Sequence, residues 1–205
     1  MNKKLQSNWK DIINECVNYF GKHNNSIIEE KANKLKVVVV PRTNDKIEFL
    51  GDAPLCIKKD SNRVILTPES LFSNVDGNYL FVNQLVRAIT EDTFKVDHQD
   101  IFNSSLINII TNDICSKLEE KEINLTNCDY PNYKIETFYD NFIGPVNNFY
   151  ISNKQSVLDA MLKKNVKLND KVKEVISRIE DKAEKHYEEQ VERLEEYSLA
   201  FNKKR

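Results

Sequence analysis

From Val166 to Phe201 the chain runs through 36 consecutive residues without a proline or a glycine, the two residues that most readily end a helix. Within that stretch Leu168, Val172, Val175, Ile179, Ala183, Tyr187, Val191 and Leu194 recur at a mean spacing of about 3.7 residues, with charged side chains filling most positions between them. One long amphipathic helix is the reading this pattern allows. The spacing lies nearer the period of a straight helix, about 3.6, than the 3.5 or so of a left-handed coiled coil, which favours packing along the protein's own body over a self-paired zipper. The terminal Lys203-Lys204-Arg205 suits the negative pole of such a helix.

The remainder must supply the body. With 205 residues, 40% hydrophobic and 30% charged, and only 4 glycines and 5 prolines, the chain has the composition of a helix-leaning globular protein that needs neither disulfide nor metal to fold. We expect one domain over residues 1–150 and a helical carboxy-terminal extension over 151–205. The formal net charge of -2 argues against a nucleic-acid binder driven by bulk charge. Cys16, Cys56, Cys115 and Cys128 are scattered, without a CxxC or closely spaced histidines, so no zinc-ribbon or redox motif is present. Behind Lys3 and Lys4 comes an amphipathic pattern rather than an apolar signal core, and no apolar run reaches membrane-spanning length, so a cytoplasmic protein with no membrane contact is expected. The sequons at Asn24, Asn103 and Asn124 then read as chance matches in an Asn-, Lys- and Ile-rich chain of the kind an AT-rich bacterial or phage genome encodes.

Residues 5–21 carry Trp9, Ile12, Ile13, Cys16, Val17 and Phe20 at helical spacing, ended by Gly21, and residues 26–35 form a second candidate helix. The period then changes. Short β-rich runs at 36–41, 46–50, 54–58 and 63–67, separated by turn-forming stretches, predict a small sheet near the amino end. Helical periodicity returns over 79–94 and 99–121, and fails again between 123 and 150, where Tyr130, Tyr133, Phe138, Tyr139, Phe142, Phe149 and Tyr150 crowd together. Irregular structure packed over the core is expected there, with an aromatic binding surface as the alternative. The fold class is therefore α+β, a small amino-terminal sheet followed by a helix-rich remainder.

The most informative segment is Asn83-Gln84-Leu85-Val86-Arg87-Ala88-Ile89-Thr90, which follows the strand-rich region and lies on a predicted helix. It resembles the HExxH helix of the thermolysin-like zinc peptidases, the gluzincins, whose motif often continues with Ala-Ile-Thr. In that motif two histidines one helical turn apart hold zinc and the intervening glutamate activates a zinc-bound water. A third ligand comes from a second helix about twenty residues on, and here Asn108 stands at that distance. The order of elements agrees over residues 36–122, under half of the chain.

What the resemblance implies is a zincin-like fold whose chemistry has gone. Asn83 and Arg87 stand at the histidine positions, Gln84 at the general base and Asn108 at the third ligand. An amide is a poor zinc ligand and a guanidinium cannot ligate at all. The expectation is a catalytically inactive metallopeptidase-like protein with no metal and no cofactor, binding another protein in a cleft shaped for extended peptides. One turn apart on one face, Asn83 and Arg87 are further expected to meet Asn108 across the two helices. Leu85, Val86, Ala88 and Ile89 also read as ordinary helix-core residues. Two alternatives stay open: an oligomerisation module built on the carboxy-terminal helix, making a homo-oligomer, and an enzyme of another type using His98 with Asp97 or Asp100.

Overall fold

In the computed structural model the described residues are 3–21, 25–41, 53–59, 62–74, 76–90, 100–125, 140–162 and 170–202. Helices α1 (Lys3–Gly21) and α2 (Asn25–Asn33) lead into strand β1 (Leu35–Val40), followed by β2 (Leu55–Lys59) and β3 (Asn62–Pro68). A 3-10 turn at Glu69–Ser73 precedes α3 (Gly77–Ile89), α4 (Asp100–Glu120), α5 (Asp140–Leu162) and α6 (Asp170–Asn202). The expected strand at 46–50 lies outside the described residues, as do His23, His98 and Cys128.

The sheet has the order β1-β3-β2, with β1 parallel and β2 antiparallel to the central strand. Alternation along each strand decides what it covers. Arg63, Ile65 and Thr67 are buried on one face, where Val37, Val39 and Cys56 also pack against the core. The other face carries Val38, Leu55 and Ile57, all substantially exposed.

Against the inner face lies α3. Phe81, Val82, Leu85, Val86, Ala88 and Ile89 are all buried, so apolar residues occur all round this helix, as they must in one enclosed by neighbours. α4 is buried continuously from Ser105 to Thr111 for the same reason. Trp9 on α1 joins the layers by stacking on Phe72 and Phe81, with ring centroids 5.8 and 6.3 Å away.

Helix α3 ends at Ile89 rather than near residue 94, because Thr90 leaves the helical region with ψ 154°. The apolar period alone could not show this stop. It is a tertiary device: Arg63 Nε donates to the Ala88 carbonyl, Lys31 Nζ to Ile89 and Lys58 Nζ to Thr90, at 3.1, 3.0 and 2.9 Å. Three cations from α2 and the sheet thus meet the carbonyl pole of α3, where positive charge is stabilising. Lys31 also donates to the carbonyl of Leu162, the last residue of α5, at 2.9 Å.

The structure corrects the irregular reading over 140–150, while 126–139, with Tyr130, Tyr133, Phe138 and Tyr139, lies outside the described residues. α5 begins at Asp140 and carries Pro145 inside it, with its kink at Asn153 (φ -130°, ψ 19°). Gly144-Pro145 reads locally as a breaker. Burial of Val146, Tyr150, Val157 and Leu158 in one core outweighs that local preference. The same helix runs through position 150, where the extension was expected to begin, without a linker. On α6 the buried side chains are Ile176, Ile179 and Glu180, while Val175 is 37% exposed. Of the expected stripe Ile179 is buried and Val175 is not, Ile176 taking its place in the core, while the side chains of Val172, Ala183, Tyr187, Val191 and Leu194 lie outside the described residues. No helix among the described residues is long and apolar enough to cross a membrane.

Candidate functional site

α3 and α4 run antiparallel, as their polar bridges show. Near the start of α3, Asn78 Nδ2 donates to Asn124 Oδ1 at 2.8 Å and Asn78 Oδ1 accepts from the Leu125 amide at 2.8 Å, beyond the end of α4. Midway along α3, Asn83 Nδ2 donates to Asn108 Oδ1 at 3.1 Å and reaches Thr111 Oγ1 at 3.4 Å. The Asn124 sequon is thus tied into the fold by its own side chain.

The orientation of the Asn83 amide follows from its partners. Arg87 Nε lies 3.1 Å from Asn83 Oδ1. A guanidinium can only donate, so the atom facing it must be the amide oxygen, which leaves both Nδ2 protons for Asn108 and Thr111. Thr111 donates its own proton to the Ile107 carbonyl at 2.7 Å, freeing its lone pairs to accept. Asn83 and Asn108 are each 9% exposed, and Thr111 is fully buried. A seam this dry makes every member depend on the others, since a buried amide that loses its partner costs about 1–3 kcal/mol.

Asn83, Arg87 and Asn108 therefore meet across the helix pair. Arg87 reaches Asn108 only through Asn83, and among the described residues no carboxylate pairs with its guanidinium. Gln84 does not join the cluster. One residue on from Asn83 is a rotation of about 100° round a helix, which aims Gln84 at the sheet. Its Oε1 accepts the backbone N–H of Cys56 on the edge strand β2, at 3.2 Å. Among the described residues no three His, Cys, Asp or Glu side chains gather as a metal site would require.

Sequence reasoning missed Thr111, although its place three residues after Asn108 puts it on the same face of α4. It also missed Ser105, one turn before Asn108, whose hydroxyl is fully buried without a hydrogen-bond partner. The cations at the end of α3 left no local signal at all, because they come from α2, β2 and β3.

A second polar group lies away from this seam, where α1, α4 and α5 converge. The Tyr19 hydroxyl donates to Asp113 Oδ2 at 2.5 Å and lies 2.6 Å from the Tyr150 hydroxyl, while Lys117 and Lys154 sit over the Tyr19 ring. Burial above all, with the hydrogen bond to Asp113 adding to it, holds the Tyr19 phenol far above its ordinary pKa. Burial raises Tyr150 likewise. Burial pushes the Cys115 thiol up to about 12, and burial raises Cys16 well above its ordinary value, with Cys115 and Glu15 adding to the effect. None of these thiols or phenols is activated as a nucleophile, which would need a lowered pKa. Cys16, Cys56 and Cys115 form no disulfide.

Comparison of the chain with family models, with curated proteins and with solved structures finds no match.

Proposed function

We propose that this chain is a catalytically inactive, metallopeptidase-like module with a zincin-like arrangement of sheet and helices, and that it works by binding another protein. The observation that carries the reading is the hydrogen bond from Asn83 to Asn108, reinforced by Arg87. Positions that would hold a metal in the peptidases are joined here by amides and a guanidinium. A metal clamp between two helices would leave unpaired polar groups on departure, and this hydrogen-bonded seam is a metal-free replacement that keeps the helices in place. Its residues offer no general base and no nucleophile.

The surface offered to a partner on this reading is the edge of β2, next to α3, where an extended segment can pair with backbone groups. Gln84 already occupies the Cys56 N–H on that edge. A bound segment would displace it or lie beyond it.

Two experiments test the proposal. The combined substitutions Asn83→His, Gln84→Glu, Arg87→His and Asn108→Glu should create measurable zinc affinity in a competition titration. A folded variant with no zinc affinity would remove the peptidase resemblance. Binding is tested by offering the purified protein a panel of extended peptides and following amide exchange. Binders should protect the amides of 55–59, and binders that leave those amides unprotected would refute the proposed edge.

A further inference from the structure

Among the described residues no element covers two rows of the sheet's outer face, which closes at the next row, where Val40 and Pro68 are buried. Across the strand order β1-β3-β2, the register places Lys36, Val64 and Ile57 in one row and Val38, Leu66 and Leu55 in the next, with Asn62 and Lys59 beyond the first row. Val38, Leu55 and Ile57 are 42, 46 and 42% exposed. Five apolar side chains thus form a patch with two lysines at one end. No Asp or Glu occurs in any of the three strands. Lys58 and Arg63 point the other way and are spent on α3, whereas Lys36 and Lys59 are exposed and have no ion-pair partner among the described residues. Three strands spaced about 4.8 Å apart make a face roughly 15 Å wide, which suits one helix of about 10–12 Å diameter.

The chain carries a helix with complementary features. Beyond Glu180, every described side chain of α6 is exposed except the half-buried His186. From Asp181 to Asn202 the helix extends roughly 33 Å. In the sequence Ala183, Tyr187, Val191 and Leu194 recur at three- and four-residue spacing, and Glu184 and Glu188, each one position after a member of that series, are exposed. Between Glu184 and Glu196 there are six glutamates against two cations, Lys185 and Arg193. The acidic arm, with its apolar series, matches in charge and width the basic, apolar rows that the described residues leave open.

We infer that the outer sheet face binds the α6 arm of a second copy of this chain, and that reciprocal exchange of arms closes a two-fold dimer. This is independent of the peptidase-like reading, which concerns the opposite side of the sheet and its β2 edge. Reciprocity matters because a one-way contact would propagate into a filament, whereas exchange satisfies both copies at once.

Sedimentation of the full chain over a range of concentrations tests it. A monomer–dimer equilibrium is expected. Leu55→Asp with Ile57→Asp on the face, or Val191→Asp with Leu194→Asp on the arm, should each abolish the dimer; the face positions are exposed, so folding survives and circular dichroism checks it. Mixing the two variants should restore a dimer, weaker than the parent, since one intact face then meets one intact arm. Lys36→Glu with Lys59→Glu should weaken association about tenfold at low salt. Adding Glu188→Lys and Glu195→Lys to the same chain should recover it. A chain that stays monomeric at all concentrations overturns the inference. So does a face variant that still dimerises while the arm variant does not, which would mean arm pairs with arm, and so does a mixture that sediments as monomers.

Discussion

α3 and α6 are both helices with a recurrent apolar pattern, yet they stand in opposite relations to the rest of the molecule. α3 is enclosed by the sheet, α1 and α4, so the few polar groups on it are matched to named partners: Asn78 to Asn124, Asn83 to Asn108, and its last carbonyls to Lys31, Lys58 and Arg63. Among the described residues, α6 buries side chains only in its first third. Ile176 and Ile179 are buried there, and Glu180 Oε1 accepts the Phe102 amide near the start of α4 at 2.7 Å, placing a carboxylate at the positive pole of that helix. Enclosure makes a helix intolerant of change at almost every position, while a helix buried at one end tolerates change at its exposed positions. That contrast can be broken by measurement.

Alkali should have the largest effect, and it should act on the enclosed part. Tyr19, Tyr150, Cys16 and Cys115 all have raised pKa values in the fold. A group whose folded pKa is raised contributes stability that is complete below its unfolded pKa and is lost as pH climbs toward the folded one. The unfolded values are about 8.5 for thiols and about 10 for phenols. Stability should therefore be flat near neutrality, begin to fall above pH ~8.5 and collapse cooperatively through pH ~10–12. Denaturant titrations across that range, with phenolate absorbance followed in parallel, check it. Tyrosines that ionise at their ordinary pKa without unfolding would contradict the burial.

Phe81→Ala, removing a fully buried ring stacked near Trp9, should cost about 3–5 kcal/mol in equilibrium unfolding. Asn83→Ala should cost about 1–3 kcal/mol, and in a double-mutant cycle with Asn108→Ala the two losses should be strongly non-additive. Additive losses would mean that the seam is not one network. Glu180→Gln keeps an acceptor for the Phe102 amide but removes the charge, and should cost about 1 kcal/mol, seen as faster amide exchange at the start of α6 rather than throughout the protein. Val175→Ala, on the exposed side of α6, should change stability by no more than about 0.5 kcal/mol. A large loss there would show that α6 is covered on a second side, and would sharpen the search for what covers it.

Much of this was legible in local pattern. The helices α1 and α4, the placement of β1, β2 and β3 and the α+β class follow from spacing, because burial of one face imposes its period on the residues that fill it. The meeting of Asn83, Arg87 and Asn108 was legible for a related reason: two positions one turn apart must share a face, and a polar face on a helix enclosed by others needs polar company. The partner of Gln84 was not legible. Its role depends on which neighbour lies 100° round the helix from Asn83, and that neighbour, the Cys56 amide, is 28 residues away in sequence.

By itself, then, the sequence determined periods, and with them which residues of each segment face the same way; the long Pro- and Gly-free carboxy-terminal stretch and the alternation of the strands belong to that class. Tertiary structure decided where elements stop and which side of a seam is covered. α3 ends at Ile89 because three cations from other elements meet its carbonyls, α5 continues through Pro145 because Val146 and Tyr150 are buried beyond it, and α6 buries Ile176 rather than Val175 because Glu180 docks on α4. The physical reason is one of range: a helical or strand period is set by neighbours within a few residues, whereas termination and docking depend on groups brought together from distant parts of the chain.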